Sequence, residues 1–145
     1  MKRHLKLAAI VALSLMATQA FARNSVETYS IDSALSSGDG KIDSDVALYF
    51  AGQRHPTVLK KMSEAATNLK TSAFGLSDEA ACQHVFLSAV IALQKRAREQ
   101  GGNAVINIKS NYQNHVTESA TEFTCGAGAV IAGVALKGDV VTLRK

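Results

Sequence analysis

Cys82, Val85, Phe86, Ala89, Val90, Leu93 and Ala97 recur at intervals of three and four residues. On a helix that spacing draws one unbroken apolar stripe, and such a stripe has to be covered by another apolar surface. The ends agree with a helix from Ser77 to Gln100. Ser77 is placed to cap the first turn, Asp78 and Glu79 set negative charge on the positive end of the helix dipole, and Lys95, Arg96 and Arg98 crowd the other end. Gly101-Gly102 then supplies residues that tolerate a left-handed stop. Cys82 lies on the buried stripe near its first turn.

The cover has to come from strands. Val46–Ala51 is a compact apolar run closed by Gly52 and suits a first strand. In Ala104–Tyr112, alternation sets Ala104, Ile106, Ile108 and Tyr112 on one face and Asn107, Lys109 and Asn111 on the other. Gln113–Ser119 reads as a polar loop or hairpin end. Phe123 and Cys125 share an inward face, opposite Glu122 and Thr124. Ala127–Leu136 is continuously small and apolar, with Gly128 and Gly133 inside it, and suits a central strand approached closely by its neighbours. Lys137-Gly138-Asp139 reads as a turn before a last short strand, Val140–Leu143. Thr57–Ser72 is ambiguous: Leu59, Met62, Ala65, Ala66 and Leu69 fall at helical spacing, and local propensity favours helix there.

The first 22 residues have a different character. Met1-Lys2-Arg3-His4-Leu5-Lys6 is a positive start, Leu7–Ala17 is uncharged and mostly apolar, and Ala20-Phe21-Ala22 is the small-x-small pattern of a signal-peptidase site. Leu7–Ala22 would span about 24 Å as a helix, short of a hydrocarbon core of about 30 Å. The expectation is a signal peptide over 1–22 cleaved after Ala22, a periplasmic location, and no stable membrane anchor after cleavage. No cysteine stands at the cleavage site to carry a lipid.

Cleavage also changes the charge. Lys2, Arg3 and Lys6 account for three of the 16 Lys and Arg residues, leaving 13 against 12 Asp and Glu in residues 23–145. The pI of 9.2 therefore reflects the leader and gives no reason to expect nucleic acid as a partner. Residues 23–45, polar and turn-rich around Ser36-Ser37-Gly38-Asp39-Gly40, read as a flexible N-terminal arm with a short helix around Ser30–Ser36. Residues 46–145 read as a single domain.

Cys82 and Cys125 are the two cysteines. In an oxidising compartment an even count favours a disulfide between them. The bridge would close 44 residues, counting both ends, and contribute about 4 kcal/mol on the chain-entropy model. Two buried free thiols, acting as small hydrophobes, are the alternative.

Chemistry-bearing motifs are sparse. After cleavage the histidines are His55, His84 and His115. Cys82 and His84 diverge by about 200° on a helix and cannot readily chelate together. Gly126-x-Gly128 and Gly133 precede no Gly-Lys-Ser/Thr and sit within a strand, so close backbone packing explains them better than a phosphate loop. Both cysteines lie on apolar faces, where a reactive thiolate is disfavoured. The Lys95, Arg96, Arg98 strip reads as a solvated helix end. The expectation is a non-enzyme with no cofactor, no metal and no catalytic residues.

Several stretches carry a resemblance. Arg96-Ala97-Arg98-Glu99-Gln100 running into Gly101-Gly102-Asn103-Ala104-Val105-Ile106 looks like the helix-to-strand junction of the YbjQ and RcsF families. Phe123-Thr124-Cys125-Gly126-Ala127-Gly128-Ala129-Val130 resembles the cysteine-bearing strand of RcsF. Ala73-Phe74-Gly75, Val85–Ala89, Gly102–Ile108 and Ala132–Gly138 resemble a group of small exported bacterial proteins, often labelled relatives of an excinuclease ATPase subunit. That label does not fit an exported chain without a phosphate-binding loop. The likeness covers about Val46–Leu143.

It implies an α+β fold, an antiparallel sheet packed against one long helix, with Leu59–Thr71 extended rather than helical. The RcsF pattern has two disulfides and a lipid-anchor cysteine; this chain has cysteines for one bridge and lacks the anchor. By function the reading is a periplasmic interaction or envelope-homeostasis domain acting on an envelope protein. The alternative is a small-molecule or metal-binding module, oligomeric if the YbjQ likeness extends that far.

Overall fold

The computed structural model describes residues 24–38 and 40–145; the expected signal peptide and its cleavage site lie outside them. The elements run β1 (Asn24–Ser30), α1 (Ile31–Ser37), β2 (Ala47–Phe50), β3 (Val58–Ser72), α2 (Asp78–Glu99), β4 (Ala104–Tyr112), β5 (His115–Thr117), β6 (Glu122–Gly128) and β7 (Ile131–Leu143). The fold is α+β, with the long helix α2 laid on one face of a seven-stranded sheet.

The sheet is organised around β7. One edge of β7 pairs with β3 along almost its whole length, from Val58↔Leu143 to Ser72↔Ile131. Its other edge is shared, β6 taking Ala132 and Gly133 and β4 taking the stretch from Leu136 to Val141. β1 pairs along the outer side of β6, and β5 returns along β4. β2 lies parallel to β4, so the sheet is mixed rather than wholly antiparallel. β3 and α2 intervene between β2 and β4 and give the chain the long crossover that a parallel neighbour requires.

α2 forms as its sequence dictates. Ser77 accepts a hydrogen bond from the Ala80 amide, Asp78 and Glu79 occupy the first turn, and Arg96 and Arg98 the last. Every member of the apolar stripe is fully buried. Gln94 is buried with them, at 1% exposure, because its side chain has a structural task. Its Nε2 donates to the carbonyls of Asp43 (2.8 Å) and Val46 (2.9 Å) and so ties the start of β2 to the helix.

Beneath the helix Phe86 stacks on Phe123 of β6, ring centres 4.1 Å apart, with Phe50 and Tyr29 flanking the pair. Beside this stack Cys82 and Cys125 form a disulfide, Cα atoms 5.9 Å apart, joining helix to sheet.

Several sequence expectations need correction. The arm at 23–45 is not loose where it is described. Asn24–Ser30 pairs residue for residue with β6, and Ile31 and Ala34 of α1 are buried. Without β1 that edge of β6 would be bare, and the Tyr29–Phe123 contact fixes the pairing.

Val58–Ser72 is strand, as the resemblance implied for Leu59–Thr71 and propensity did not. Its burial alternates from Ala65 to Thr71, because a 13-residue partner strand outweighs a weak local preference. Ala127–Leu136 is not one strand: the chain reverses at Ala129-Val130 between β6 and β7. Conversely, Lys137-Gly138-Asp139 does not turn. A side chain at Gly138 would come within 2.8 Å of Val105, so this glycine admits β4 to β7 rather than bending β7.

In β4, Asn107 adopts φ 51° at a bulge. Ala104 and Ile106 therefore join Val141 and Leu143 in a small cluster of their own, whereas Val105 and Ile108 enter the main core under α2. Alternation without the bulge had set Ile106 and Ile108 on one face.

Replacing Cys82 by Ala removes the cross-link and lowers the unfolding free energy by about 4 kcal/mol in oxidising denaturation curves. Titration of the unfolded, unreduced wild-type chain finds no reactive thiol; two thiols would contradict the bridge.

Candidate functional site

With α2 on one face, the opposite face of the sheet is exposed along the second half of β3 and at Ile131 of β7, whereas farther along β7 Val141 and Leu143 are buried in the small cluster with Ala104 and Ile106. In β3 the residues between those turned to the helix, Ala66, Asn68, Lys70 and Ser72, point to this open face and are exposed. Register sets Ala135 beside Asn68, Gly133 beside Lys70 and Ile131 beside Ser72.

Beyond Ser110, β6 takes over the edge of β7 that β4 occupied. The end of β4 departs with β5, held by hydrogen bonds from the Thr124 amide to Ser110 Oγ (2.9 Å) and between the hydroxyls of Thr117 and Thr124 (3.0 Å). The turn joining them places both Gln113 (φ 51°) and Asn114 (φ 64°) in the left-handed region, the backbone that a two-residue hairpin favours.

Tyr112, just before this turn, lies over Gly126 and reaches Gly133. A Cβ at position 126 would collide with its ring. The glycines read from the sequence as close-packing positions thus make room for an aromatic side chain as well as for backbone.

Two recesses lie around the end of β4 and its turn. One, of 260 Å³, is lined by Asn68, Asn111, Gln113 and Asn114 over a floor that includes Ala66 and Ala135. The other, of 420 Å³, lies between Tyr112, Lys70 and Asn24, with Gly126, Gly128 and Gly133 beneath and Val130 and Ile131 at its end. Asn68 and Lys70 are next-but-one neighbours on β3, as are Gly133 and Ala135 on β7, so the recesses follow one another along a single trough. Its far end runs into exposed apolar side chains: Val130 is 60% and Ile131 53% exposed, and Phe74, 81% exposed, follows Ala73, whose amide bonds to the Val130 carbonyl.

The residues singled out by sequence are dispersed. His84 is on the exposed side of α2, His115 on β5, and His55 precedes β3, its ring near Tyr49 and its Nδ1 2.8 Å from the Pro56 carbonyl oxygen. Among the described residues no three His, Cys, Asp or Glu side chains come together to hold a metal ion. No helix among them is long and apolar enough to cross a membrane.

Lys95 and Arg96 are exposed, but Arg98 is engaged. Its guanidinium grips Asp45 through Nε (2.6 Å) and Nη2 (2.8 Å) and reaches Asp43 at 3.2 Å. The hydrogen bond from Arg98 holds the Asp45 carboxyl below the usual carboxylate range. Cys82 and Cys125 are fully buried in their bridge.

Sequence reasoning missed the trough. Its signal was present in the run Asn111-Tyr112-Gln113-Asn114, but nothing in that run tells which strand it will overhang.

No protein-family model, curated protein or solved structure matches the chain.

Gly126→Val pushes Tyr112 off the sheet, removing near-ultraviolet dichroism from the tyrosine and costing about 1–3 kcal/mol of stability. Because the folded pKa of Asp45 is lowered, its stabilisation is complete above the ordinary carboxylate range and fades as pH falls through the folded value. Asp45→Asn should therefore flatten the acid limb of a stability–pH profile below about pH 4, while changing its shape above pH 6 little.

Proposed function

We propose that the protein is a non-enzymatic, exported binding domain of the bacterial envelope, and that its working surface is the open face of the sheet. The observation that carries this reading is the asymmetry of the fold. One face is sealed by α2, a disulfide and an aromatic stack, whereas the other carries a trough ending in exposed Val130, Ile131 and Phe74. Apolar side chains gathered at a surface beside a recess mark interaction sites more often than chance. The leader-like 1–22 supports export, and a buried disulfide is compatible with an oxidising compartment.

The second reading, a small-molecule module, is favoured by one feature, the 420 Å³ recess with Lys70 at its side and apolar walls at its end. That volume lies within the range of about 300–1,000 Å³ common for small ligands. An acidic, partly apolar molecule would suit it. The metal version of that reading has no support in the positions of the histidines.

A photo-crosslinking amino acid placed at Asn68 or Ile131, on the open face, separates these readings from a helix-side function. Expressed in cells, both positions should give discrete adducts with envelope material, and one at His84 on the outer side of α2 should give none. Adducts from His84 alone would overturn the assignment of the open face.

A further inference from the structure

The carboxamide side chains divide sharply by place. Gln53, Gln83, Gln94, Gln100, Asn103 and Asn107 each make a side-chain hydrogen bond within the protein. Asn24, Asn68, Asn111, Gln113 and Asn114 have no side-chain partner among the described residues, and every one of them lines the trough. The recess that four of them surround has no ionisable side chain in its lining, and Tyr112 lines the recess that adjoins it along the trough.

Resting on the open face as the binding surface, we infer that the carboxamide end of the trough binds a neutral polyhydroxylated ligand, a glycan strand. A carboxamide offers two donors and an acceptor from one planar group. Adjacent sugar hydroxyls each donate and accept, so neighbouring carboxamides can pair with both functions of both hydroxyls. An uncharged recess discriminates against ions, whose desolvation it would not repay. The small floor at Ala66 and Ala135 lets a pyranose ring approach the sheet, and in the adjoining recess the Tyr112 ring offers the C–H face of the next sugar unit an aromatic partner.

A peptide is the weaker fit. Extended peptides usually add to a sheet edge, where unpaired backbone groups supply most of the affinity. The trough lies on the face of the β3–β7 pair, whose backbone groups are spent on each other.

The test is a nitrogen-15 NMR titration of the chain from Arg23, disulfide intact, with a β-1,4-linked trimer of N-acetylglucosamine, and separately with a blocked alanine tripeptide. The sugar should shift the side-chain amide signals of Asn68, Asn111, Gln113 and Asn114 saturably, and leave that of Gln83 on α2 unmoved. Asn111→Ala and Tyr112→Ala should each weaken binding roughly tenfold, about 1.4 kcal/mol. Asn68→Ala, an exposed substitution that leaves the fold intact, repeats the test should Tyr112→Ala unfold.

Absence of shifts at millimolar sugar, or shifts that Asn111→Ala and Asn68→Ala do not weaken, would overturn the inference. If the tripeptide alone moves these signals, the glycan assignment fails while the open face stands as the binding surface. Loss of the open face itself is read separately, by crosslinks from the helix side.

Discussion

The contact between α2 and β6 organises the rest of the molecule. Phe86 on Phe123 supplies large apolar area at the centre of the interface, and Cys82–Cys125 fixes the same two elements covalently. Around this clamp the other connections follow. Gln94 draws β2 in beside β4, Arg98 holds the preceding loop through Asp45, and Tyr29 carries β1 onto β6. A core with no tryptophan and mostly Ala and Val side chains gains much of its definition from these few directional contacts.

Sealing one face has a consequence for the other. β7 is flanked by β3 on one edge and by β4 and β6 in succession on the other. Two strands cannot occupy one edge at the same level, so β4 leaves where β6 arrives and its end overhangs the open face. The trough is thus a product of topology: glycines at 126 and 133 receive Tyr112, and the left-handed turn at Gln113-Asn114 presents carboxamides over β3 and β7.

The helix was fully legible in the sequence, because stripe, cap, charge and stop all agree over Ser77–Gln100. The inward faces of Phe123 and Cys125 were legible as well, from simple alternation. Four features were not, each for a physical reason. The reversal at Ala129-Val130 uses no turn-forming residue, so the apolar run conceals it. The bulge at Asn107 inverts facing midway along β4, which alternation cannot anticipate. β3 is extended because of a distant partner, and its own residues prefer helix. Asn24–Ser30 looks like an arm because a strand on an outer edge needs little apolar character. The trough combines three of these features, and for that reason motif reading found nothing there.

Helix and sheet form one cooperative body through the α2–β6 clamp, which leaves the overhanging turn as the loosest part of the ordered sheet. Native-state hydrogen exchange at increasing denaturant measures this cooperativity directly. Amides of Val85–Leu93 in α2, Phe123–Ala127 in β6 and the centre of β7 should share one opening free energy, equal to that of global unfolding. Amides of Tyr112–His115 should exchange at lower cost. Exchange of α2 at a distinctly lower free energy than β6 and β7 would contradict the account, since the helix would then leave the sheet on its own.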